Sequence, residues 1–187
     1  MNKKEEWWDI YDKNKHKTGK MIKRGDRMKE DEYHLFVQVW LVNNEGLYLA
    51  QERSENIKWP LMWCANGGNA KAGEDAYSCA RREIKEELNL DLSKMDGILF
   101  DTSMYFEDNQ NYFCDSFVFI CNKKIEEFEF QKEEIKSLEY MDINRIRKMM
   151  KEKMFFTYDD AYLNKLAKIA SEIRENRLDL NKYKKEI

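Results

Sequence analysis

Three glutamates at helical spacing lie in the middle of the chain and could bind a metal ion. Glu86 and Glu87 follow Glu83 by three and four positions, so on an α-helix, at about 100° per residue, the three share one flank. Clustered carboxylates repel one another and raise each other's pKa unless a cation joins them. Oxygen ligands at this density suit a hard divalent ion such as Mg²⁺ or Mn²⁺. The spacing therefore predicts a divalent metal site, with an acidic surface helix supported by i,i+4 ion pairs as the alternative.

The residues around these glutamates favour the metal site over a plain surface helix. Glu87 falls inside the edge of an apolar arc whose members recur at helical intervals, namely Ala76, Tyr77, Ala80, Ile84 and Leu88. A solvated acidic face should lie opposite the apolar stripe, so we expect Glu87 to point partly towards the core. Gly67, Gly68 and Gly73 precede the helix and let the backbone turn sharply and approach a ligand closely. Arg82 could hold one of the carboxylates through a bidentate pair.

The stretch from Gly68 to Leu90 resembles the Nudix box, G-x5-E-x7-R-E-U-x-E-E-x-G-U, in which U is an apolar residue. The positions that stand at the required spacing are Gly68, Glu74, Arg82, Glu83, Ile84, Glu86, Glu87 and Leu90. Asn89 replaces the glycine that the family has at the end of the helix. Asn is the side chain that best tolerates a left-handed conformation after Gly, so the replacement leaves the motif intact. The resemblance implies a Nudix hydrolase with an α/β/α sandwich fold.

The resemblance also implies an activity and a site. The activity is hydrolysis of the diphosphate bond in a nucleoside diphosphate linked to another moiety, with Mg²⁺ or Mn²⁺ as the cofactor. The implied metal ligands are Glu83, Glu86, Glu87 and the carbonyl oxygen of Gly67. The attacking water is oriented or deprotonated by Glu83 or, from outside the box, by Glu133 or Glu134. The implied structural support comes from Gly68 and from a pair between Glu74 and Arg82.

Two basic residues upstream of the box allow two interpretations. Arg53 ends a predicted strand, and Lys58 lies shortly before the only proline, Pro60. In the first interpretation both side chains reach over the acidic site and hold phosphate oxygens of the substrate, a role that suits the planar fork of Arg. In the second, Arg53 pairs with a surface carboxylate. The sequence leaves both interpretations open.

Outside the box, the chain from about Trp7 to Ala161 is similar to Nudix proteins related to isopentenyl-diphosphate isomerase. The shared segments are Trp-Asp-Ile-Tyr-Asp at 8–12, Thr-Gly-Lys at 18–20, Arg-Ser at 53–54, Trp-Pro at 59–60 and Phe-Thr-Tyr at 156–158. The isomerases protonate a double bond with a Cys in Cys-Gly-His-Pro, where this chain has Gly-Gly-Asn-Ala at 67–70. They also carry an acidic pair where it has Gln110 and Tyr112. These differences argue against isomerase chemistry, which stays an alternative together with a non-catalytic nucleotide-binding module.

Length, charge and cysteine content narrow the class of protein. The 187 residues suit one domain, 1–187, with an N-terminal hairpin extension (1–30) and a C-terminal helix and tail (155–187). The net charge of −3 gives no basic field for nucleic acid, so the expected partner is a small-molecule nucleoside diphosphate derivative. No apolar run approaches the roughly 18 residues of a membrane span, and the charged start lacks a signal peptide. We expect no membrane partner, a cytoplasmic location and free, buried cysteines, and leave open a homodimer through Trp7 and Trp8.

Alternating strand and helix patterns predict an α/β (α+β) fold in which helices cover a mixed β-sheet. The predicted strands lie in an N-terminal hairpin over 5–24 and over 33–41, 47–54, 98–106, 112–122 and 138–141. Two further helices are expected after the box helix. Asp142 or Asn144 is expected to cap the first of them, and Thr157 or Asp159 the second, C-terminal helix.

Overall fold

Segments rich in β-branched and aromatic residues pair into one mixed sheet. The computed structural model describes residues 5–107 and 110–180, and within them the sheet has nine strands. The strands are β1 (Trp7–Tyr11), β2 (Lys17–Lys23), β3 (Tyr33–Val42), β4 (Tyr48–Arg53), β5 (Trp63–Cys64), β6 (Asn66–Asn69), β7 (Gly97–Glu107), β8 (Gln110–Ile120) and β9 (Ile135–Met141). The prediction of a mixed sheet that begins with a hairpin is confirmed.

Strand β3 lies at the centre of the sheet because its sequence, YHLFVQVWLV, is largely apolar on both faces. It runs parallel to β8, from the pair Tyr33–Asn111 to the pair Val42–Ile120, and antiparallel to β4 and β6. β7 extends the sheet beyond β8, and β9 pairs with β4. The strand that leads towards the glutamate helix, β6, is therefore fixed beside the most buried strand.

Helices cover both faces of this sheet. In the described residues they are α1 (Ala76–Leu88), α2 (Ile143–Lys151) and α3 (Asp160–Arg174). α1 buries one side, including Ala80, Ile84 and Leu88, against one face of the sheet. α2 and α3 pack on the opposite face around the buried Trp40. The predicted α/β/α sandwich with an N-terminal hairpin and a C-terminal helix is confirmed.

Carboxylate caps determine where the helices begin. Asp75, Asp142 and Asp159 each accept a hydrogen bond from the backbone N–H three residues further on. Each cap satisfies one of the donors that the first helical turn leaves free. Asp142 rather than Asn144 therefore caps α2, and Asp159 rather than Thr157 caps α3.

Helix α1 ends at a residue in the left-handed conformation. Asn89 has φ 51° and ψ 33°, and its N–H donates a hydrogen bond to the carbonyl of Ile84. The prediction that Asn takes the place of Gly because it tolerates this conformation is confirmed.

Replacing Asn89 by Ala should therefore destabilise the fold. An Ala side chain costs roughly 1–2 kcal/mol in the left-handed conformation, and the change removes the hydrogen bond from the Asn89 amide to Glu129 at 2.6 Å. We expect Asn89→Ala to lower the free energy of unfolding in urea by about that amount. Asn89→Gly should lower it much less, because Gly adopts this conformation freely. Equal losses in the two variants would show that the side-chain hydrogen bonds, and not the backbone conformation, account for the effect.

The N-terminal hairpin packs against the loop that precedes α1. The N–H of Ala72 donates to the carbonyl of Trp7 at 2.7 Å, and the N–H of Gly73 donates to the carboxylate of Asp9 at 2.9 Å. Trp8 is buried, whereas Trp7 is 44% exposed. The hairpin thus contributes one aromatic side chain to the core and holds the loop from outside.

Short elements and strand ends depart from the sequence prediction. Leu92–Lys94 and Ile125–Glu127 are one-turn 3-10 helices, which are too short to leave a helical repeat in the sequence. β9 begins at Ile135 rather than at Leu138, because Ile135 pairs with Arg53 next to a register shift. The C-terminal tail beyond residue 180 lies outside the described residues.

The cysteines form no disulfide within the described residues. Cys64, Cys79, Cys114 and Cys121 are free and buried, as predicted, and burial raises the pKa of each thiol. They are therefore core residues rather than exposed nucleophiles. No helix among residues 5–107 and 110–180 combines the length and apolar character that crossing a bilayer requires.

Candidate functional site

The close approach of α1 to β6 depends on a glycine. Gly68 pairs with Val37 in the sheet, and the side chain of Glu83 lies against it. A β-carbon placed on Gly68 would lie 2.3 Å from Oε1 of Glu83 and 2.8 Å from Oε2. The missing side chain of Gly68 therefore makes the space that the Glu83 carboxylate occupies.

Glu87 is a buried carboxylate on the same side of α1. It is 6% exposed, and the N–H of Gly67 donates to its Oε2 at 3.4 Å. Its pKa is raised to about 8, first by burial and then by the negative charges of Glu83 and Glu134, against hydrogen bonds from Gln51 and Gly67. A carboxylate in this position is poorly stabilised as an anion unless positive charge comes close.

Glu83 is in a similar but less extreme position. Burial raises its pKa, the adjacent Arg82 lowers it, and the charge of Glu86 raises it again. The two inner carboxylates, Glu83 and Glu87, therefore repel each other in a partly dry space. A divalent cation would relieve this repulsion, which is the chemistry that the spacing in the sequence predicts.

Arg82 is at the centre of an ion-pair network at the start of α1. Its Nε and Nη2 donate to the two carboxylate oxygens of Glu74 at 2.6 and 2.9 Å. Its Nη1 donates to Glu83 at 2.7 Å and to Glu86 at 3.2 Å, and Nη2 also donates to the carbonyl of Asn69 at 3.0 Å. Although burial opposes it, this pairing lowers the pKa of Glu74. The structure thus brings Glu74 and Arg82 together and links them to two of the predicted metal ligands.

The three glutamates do not form a closed metal cage. Glu86 is the exposed member, pairing with Arg82 and, at 3.6 Å, with Lys71. Among residues 5–107 and 110–180, no three His, Cys, Asp or Glu side chains converge as ligands around one ion. The donor set still fits a divalent cation, because the buried Glu87 and the partly buried Glu83 both have raised pKa values and gain most from added positive charge.

The segment before β9 approaches α1 and carries the two predicted glutamates outside the box. The N–H of Gln131 donates to the carbonyl of Glu87 at 3.1 Å. Ser54 holds the same segment, since its N–H donates to the carbonyl of Glu134 at 2.8 Å and its hydroxyl donates to that of Glu133 at 2.6 Å. Both glutamate side chains are exposed, but only Glu134 is among the charges that raise the pKa of Glu87. The charge of Glu134 therefore acts on Glu87.

Arg53 and Glu87 both lie close enough to Cys64 for their charges to affect its thiol. The thiol of Cys64 has its pKa raised to about 11 by burial, lowered by the nearby Arg53 and raised by Glu87. Cys64 is thus within electrostatic reach of both charges. The guanidinium of Arg53 also lies 5.9 Å from the ring centre of Phe156, and no ion pair joins it to a surface carboxylate among the residues that the structure describes.

Lys58 contacts Arg53 through its backbone and not through its ammonium group. The Nε of Arg53 donates to the carbonyl of Lys58 at 2.9 Å. The Nζ of Lys58 lies 3.8 Å from the ring centre of Trp59, which is 48% exposed. The structure therefore places Lys58 on the exposed loop after β4, where its charge is free to turn towards solvent.

An open cleft of about 550 Å³ lies between the C-terminal half of α1 and the segment before β9. Its lining residues are Lys85, Glu86, Asn89, Phe128, Glu129, Phe130, Gln131, Lys132 and Glu133. Two of the predicted site residues, Glu86 and Glu133, are among them, whereas Glu83, Glu87 and Arg53 are not. The cleft thus borders the exposed side of the glutamate cluster.

Two polar residues near Glu87, Gln51 and Asn66, are absent from the site predicted from the sequence. The Nε2 of Gln51 lies 3.7 Å from the sulfur of Cys64, and Gln51 lowers the pKa of Glu87. Asn66 directly precedes the glycines of β6. Gln51 follows Leu49 at a strand spacing of two, so both side chains lie on the same face of β4. A polar residue at such a core-facing position is the sequence signal that could have indicated a role for Gln51. Asn66 gives no such signal, because its burial results from strand pairing.

Comparison with known proteins identifies the family. The NUDIX domain matches residues 32–163. The uncharacterized Nudix hydrolase lmo0368 of Listeria monocytogenes is 28% identical over 163 residues, which are 86% of this chain and 93% of that protein. The structure is similar to that of DR0079 from Deinococcus radiodurans, with TM-score 0.69 and 19% identity over 90% of this chain and 99% of that one. A C. elegans Ap4A hydrolase shares the fold with TM-score 0.57 and 15% identity over 75% of this chain and 98% of that one. With the box residues in place on α1 and the domain match covering most of the sequence, the chain belongs to the NUDIX family and is a Nudix pyrophosphohydrolase.

Proposed function

We propose that the enzyme is Mg²⁺-dependent and cleaves the diphosphate bond of a nucleoside diphosphate linked to another moiety. The observation that carries this proposal is the position of the buried Glu87 and the partly buried Glu83 against β6, with both pKa values raised. Arg82 pairs with Glu83, but no cationic side chain among the described residues pairs with Glu87, and a buried carboxylate without such a partner is costly. Their placement is best explained by a cation that binds between them and a diphosphate.

The residues that would hold this cation are Glu83, Glu86, Glu87 and the carbonyl of Gly67. When bound, a divalent ion neutralises diphosphate oxygens and lowers the pKa of a water molecule. Gly68 leaves space for the Glu83 carboxylate. Arg82 and Glu74 fix the start of the helix from which these carboxylates project.

Glu134 is the best candidate for the residue that accepts the proton of the attacking water. Its backbone is held by Ser54, and its charge acts on Glu87. Glu83 and Glu133 are the other candidates. A carboxylate beside the diphosphate can orient the water and take its proton in the transition state.

The isomerase alternative has no supporting group in this fold. Its proton donor would be a thiol, and Cys64 is 4% exposed with its pKa raised to about 11. The similarity of the outer segments to isopentenyl-diphosphate isomerase is, in our proposal, a relationship of descent and not of chemistry. The free, buried cysteines support a cytoplasmic location.

A substrate panel tests the proposed function. The protein is incubated with Mg²⁺ and with nucleotide sugars, nucleoside diphosphates, dinucleoside polyphosphates and isopentenyl diphosphate, and the products are separated by chromatography. We expect release of a nucleoside monophosphate that stops when EDTA is added. An allylic product would support the isomerase, and no product across the panel would support a nucleotide-binding module.

The substitution Arg53→Ala should raise KM more than it lowers kcat. This split is expected if Arg53 holds phosphate oxygens equally in the ground state and the transition state. Steady-state kinetics with the best substrate of the panel measure both constants, and Lys58→Ala serves as the comparison because its ammonium lies on Trp59. An unchanged KM in Arg53→Ala would return Arg53 to a structural role, in which it holds the carbonyl of Lys58.

The substitution Glu134→Gln should lower kcat by about 10²-fold, the scale of a lost general base. Glu133→Gln is the matched control on the neighbouring position, and we expect it to retain most of the kcat. The acidic limb of the pH dependence of kcat should also disappear in Glu134→Gln. A larger loss of kcat in Glu133→Gln than in Glu134→Gln would assign the base to Glu133. Small and equal losses of kcat in both variants would leave Glu83 as the base.

A further inference from the structure

Two buried amide side chains near Glu87 have polar atoms without a protein hydrogen-bond partner. Among the described residues, neither Oδ1 nor Nδ2 of Asn66 has a partner, although Asn66 is 1% exposed. Gln51 is 4% exposed, and its Oε1 is likewise without a partner. A buried polar atom without a partner costs stability, so proteins satisfy such atoms with ordered water or with a ligand. Each of these three atoms is therefore a position at which an ordered water molecule or a ligand could bind.

Strand pairing places the Asn66 side chain on the α1 side of the sheet. Asn66 pairs with Val39 of β3, and residues directly opposite in neighbouring strands share a face. Val39 belongs to the core under α1. The next residue, Gly67, donates its N–H to Glu87. Asn66 thus lies beneath the carboxylate that α1 brings towards β6.

Gln51 approaches the same carboxylate from β4. It pairs with Cys64 across β4 and β5, and its Nε2 lies 3.7 Å from the Cys64 sulfur. Its side chain is close enough to Glu87 to lower the pKa of that carboxyl, and its Oε1 is an acceptor without a partner. Both amides therefore lie on the face of the sheet that α1 covers, since Gln51 follows Leu49 of that core at a strand spacing of two.

We propose that Gln51 and Asn66 are positioning residues for Glu87, Gln51 through a direct hydrogen bond and Asn66 through an ordered water molecule. The water would contact the Asn66 amide, Oε1 of Gln51 and the Glu87 carboxylate, which matches the roughly 2–4 polar partners of buried waters. Hydrogen bonds behind a metal ligand fix its orientation and affect metal affinity. The inference rests on the proposed function, because it assigns Glu87 to metal binding.

The substitution Asn66→Leu tests this role, since it removes the amide while keeping a side chain of similar length. Mn²⁺ binding to the substrate-free protein, measured by electron paramagnetic resonance, should weaken at least about tenfold. The melting temperature of the metal-free protein should stay equal or rise, because a buried amide without a protein partner has been removed. kcat should fall while KM for the substrate stays the same.

Gln38→Leu is the matched control on the opposite face. Gln38 is a buried amide that pairs with Gly67, but its Nε2 donates to the hydroxyl of Tyr162 at 2.7 Å on the α3 side. Its loss should lower the melting temperature and leave Mn²⁺ affinity unchanged. The two variants should therefore show opposite patterns. Weaker Mn²⁺ binding without a lower melting temperature in Asn66→Leu indicates a positioning role, whereas a lower melting temperature with unchanged Mn²⁺ binding in Gln38→Leu indicates a structural one.

Several outcomes would overturn the inference. Unchanged Mn²⁺ affinity in Asn66→Leu would show that Asn66 does not act through Glu87, and a raised KM alone would show that the amide contacts the substrate. If Asn66→Leu does not fold, Asn66→Ala and Gln51→Met undergo the same measurements with the same expected results. Absence of Mn²⁺ binding in the unsubstituted protein would instead contradict the proposed function.

Discussion

A Glu87→Gln enzyme is expected to lose about 10²-fold or more in kcat while keeping its fold. Gln has nearly the same shape and can accept the hydrogen bond from the N–H of Gly67. It lacks the formal charge that a divalent cation needs, and the loss of one preorganised charged group typically costs this much in rate. Turnover with saturating Mg²⁺ and Mn²⁺ titration of the substrate-free protein measure both effects. A kcat of Glu87→Gln close to that of the unsubstituted enzyme would contradict the assignment of Glu87 to the metal site.

The same substitution should make the metal-free protein more stable at alkaline pH. The pKa of Glu87 is raised from 4.5 to about 8 in the folded protein, so the folded state binds this proton more tightly than the unfolded state. The resulting stabilisation is complete below pH 4.5 and is lost as the pH rises through about 8. Within that window each pH unit costs up to about 1.4 kcal/mol.

Thermal unfolding in EDTA checks this sign. The melting temperature of the unsubstituted protein should fall between about pH 5 and about pH 8.5, and that of Glu87→Gln should fall less. Mg²⁺ at the higher pH should stabilise the unsubstituted protein and not the variant, because binding to the folded state raises apparent stability. Parallel pH profiles in EDTA would mean that the Glu87 carboxylate is not buried as a proton-binding group.

Gly68→Ala should reduce kcat by about 10²-fold with little change in stability. The new β-carbon would lie 2.3 Å from Oε1 of Glu83, so the carboxylate must move aside. This movement is cheap for a flexible side chain, but a displacement of about 1 Å in a catalytic constellation can cost 10²-fold in rate. Kinetics and urea unfolding of the single variant measure the two quantities.

A double-mutant cycle shows whether the loss acts through Glu83. In a Glu83→Ala background the β-carbon at Gly68 has no carboxylate to displace, so Gly68→Ala should add nothing to the loss of kcat. Additive losses would mean that Gly68 is needed for another reason, such as close approach of the substrate to the backbone.

The sequence predicted those features that depend only on residues close together in the chain. Glu83, Glu86 and Glu87 could be placed on one helix flank because helical spacing is fixed, and Asn89 could be placed at the helix end because its conformational tolerance is known. The burial of Glu87 also followed from its position in the apolar arc. Such arguments need only the periodicity of one element.

The rest of the site depends on contacts between distant parts of the chain. Glu134 could not be separated from Glu133 in the sequence, because Ser54, which follows β4 and is distant in the chain, holds the backbone of that segment. Asn66 is buried only because β6 pairs with β3, and the role of Arg82 in holding both Glu83 and Glu86 depends on side-chain conformations. Register and loop packing decide these features, and neither has a local sequence pattern.

The contact between the N-terminal hairpin and the loop before α1 bears on how this enzyme can diverge. The NUDIX match begins at residue 32, yet Trp7 and Asp9 of the hairpin hold the backbone of Ala72 and Gly73 inside the box. The shape of the most constrained loop is therefore set partly by a segment that the family does not specify. Substitutions in the hairpin can change the conformation of this loop, and with it the reaction, while every residue of the Nudix box stays the same.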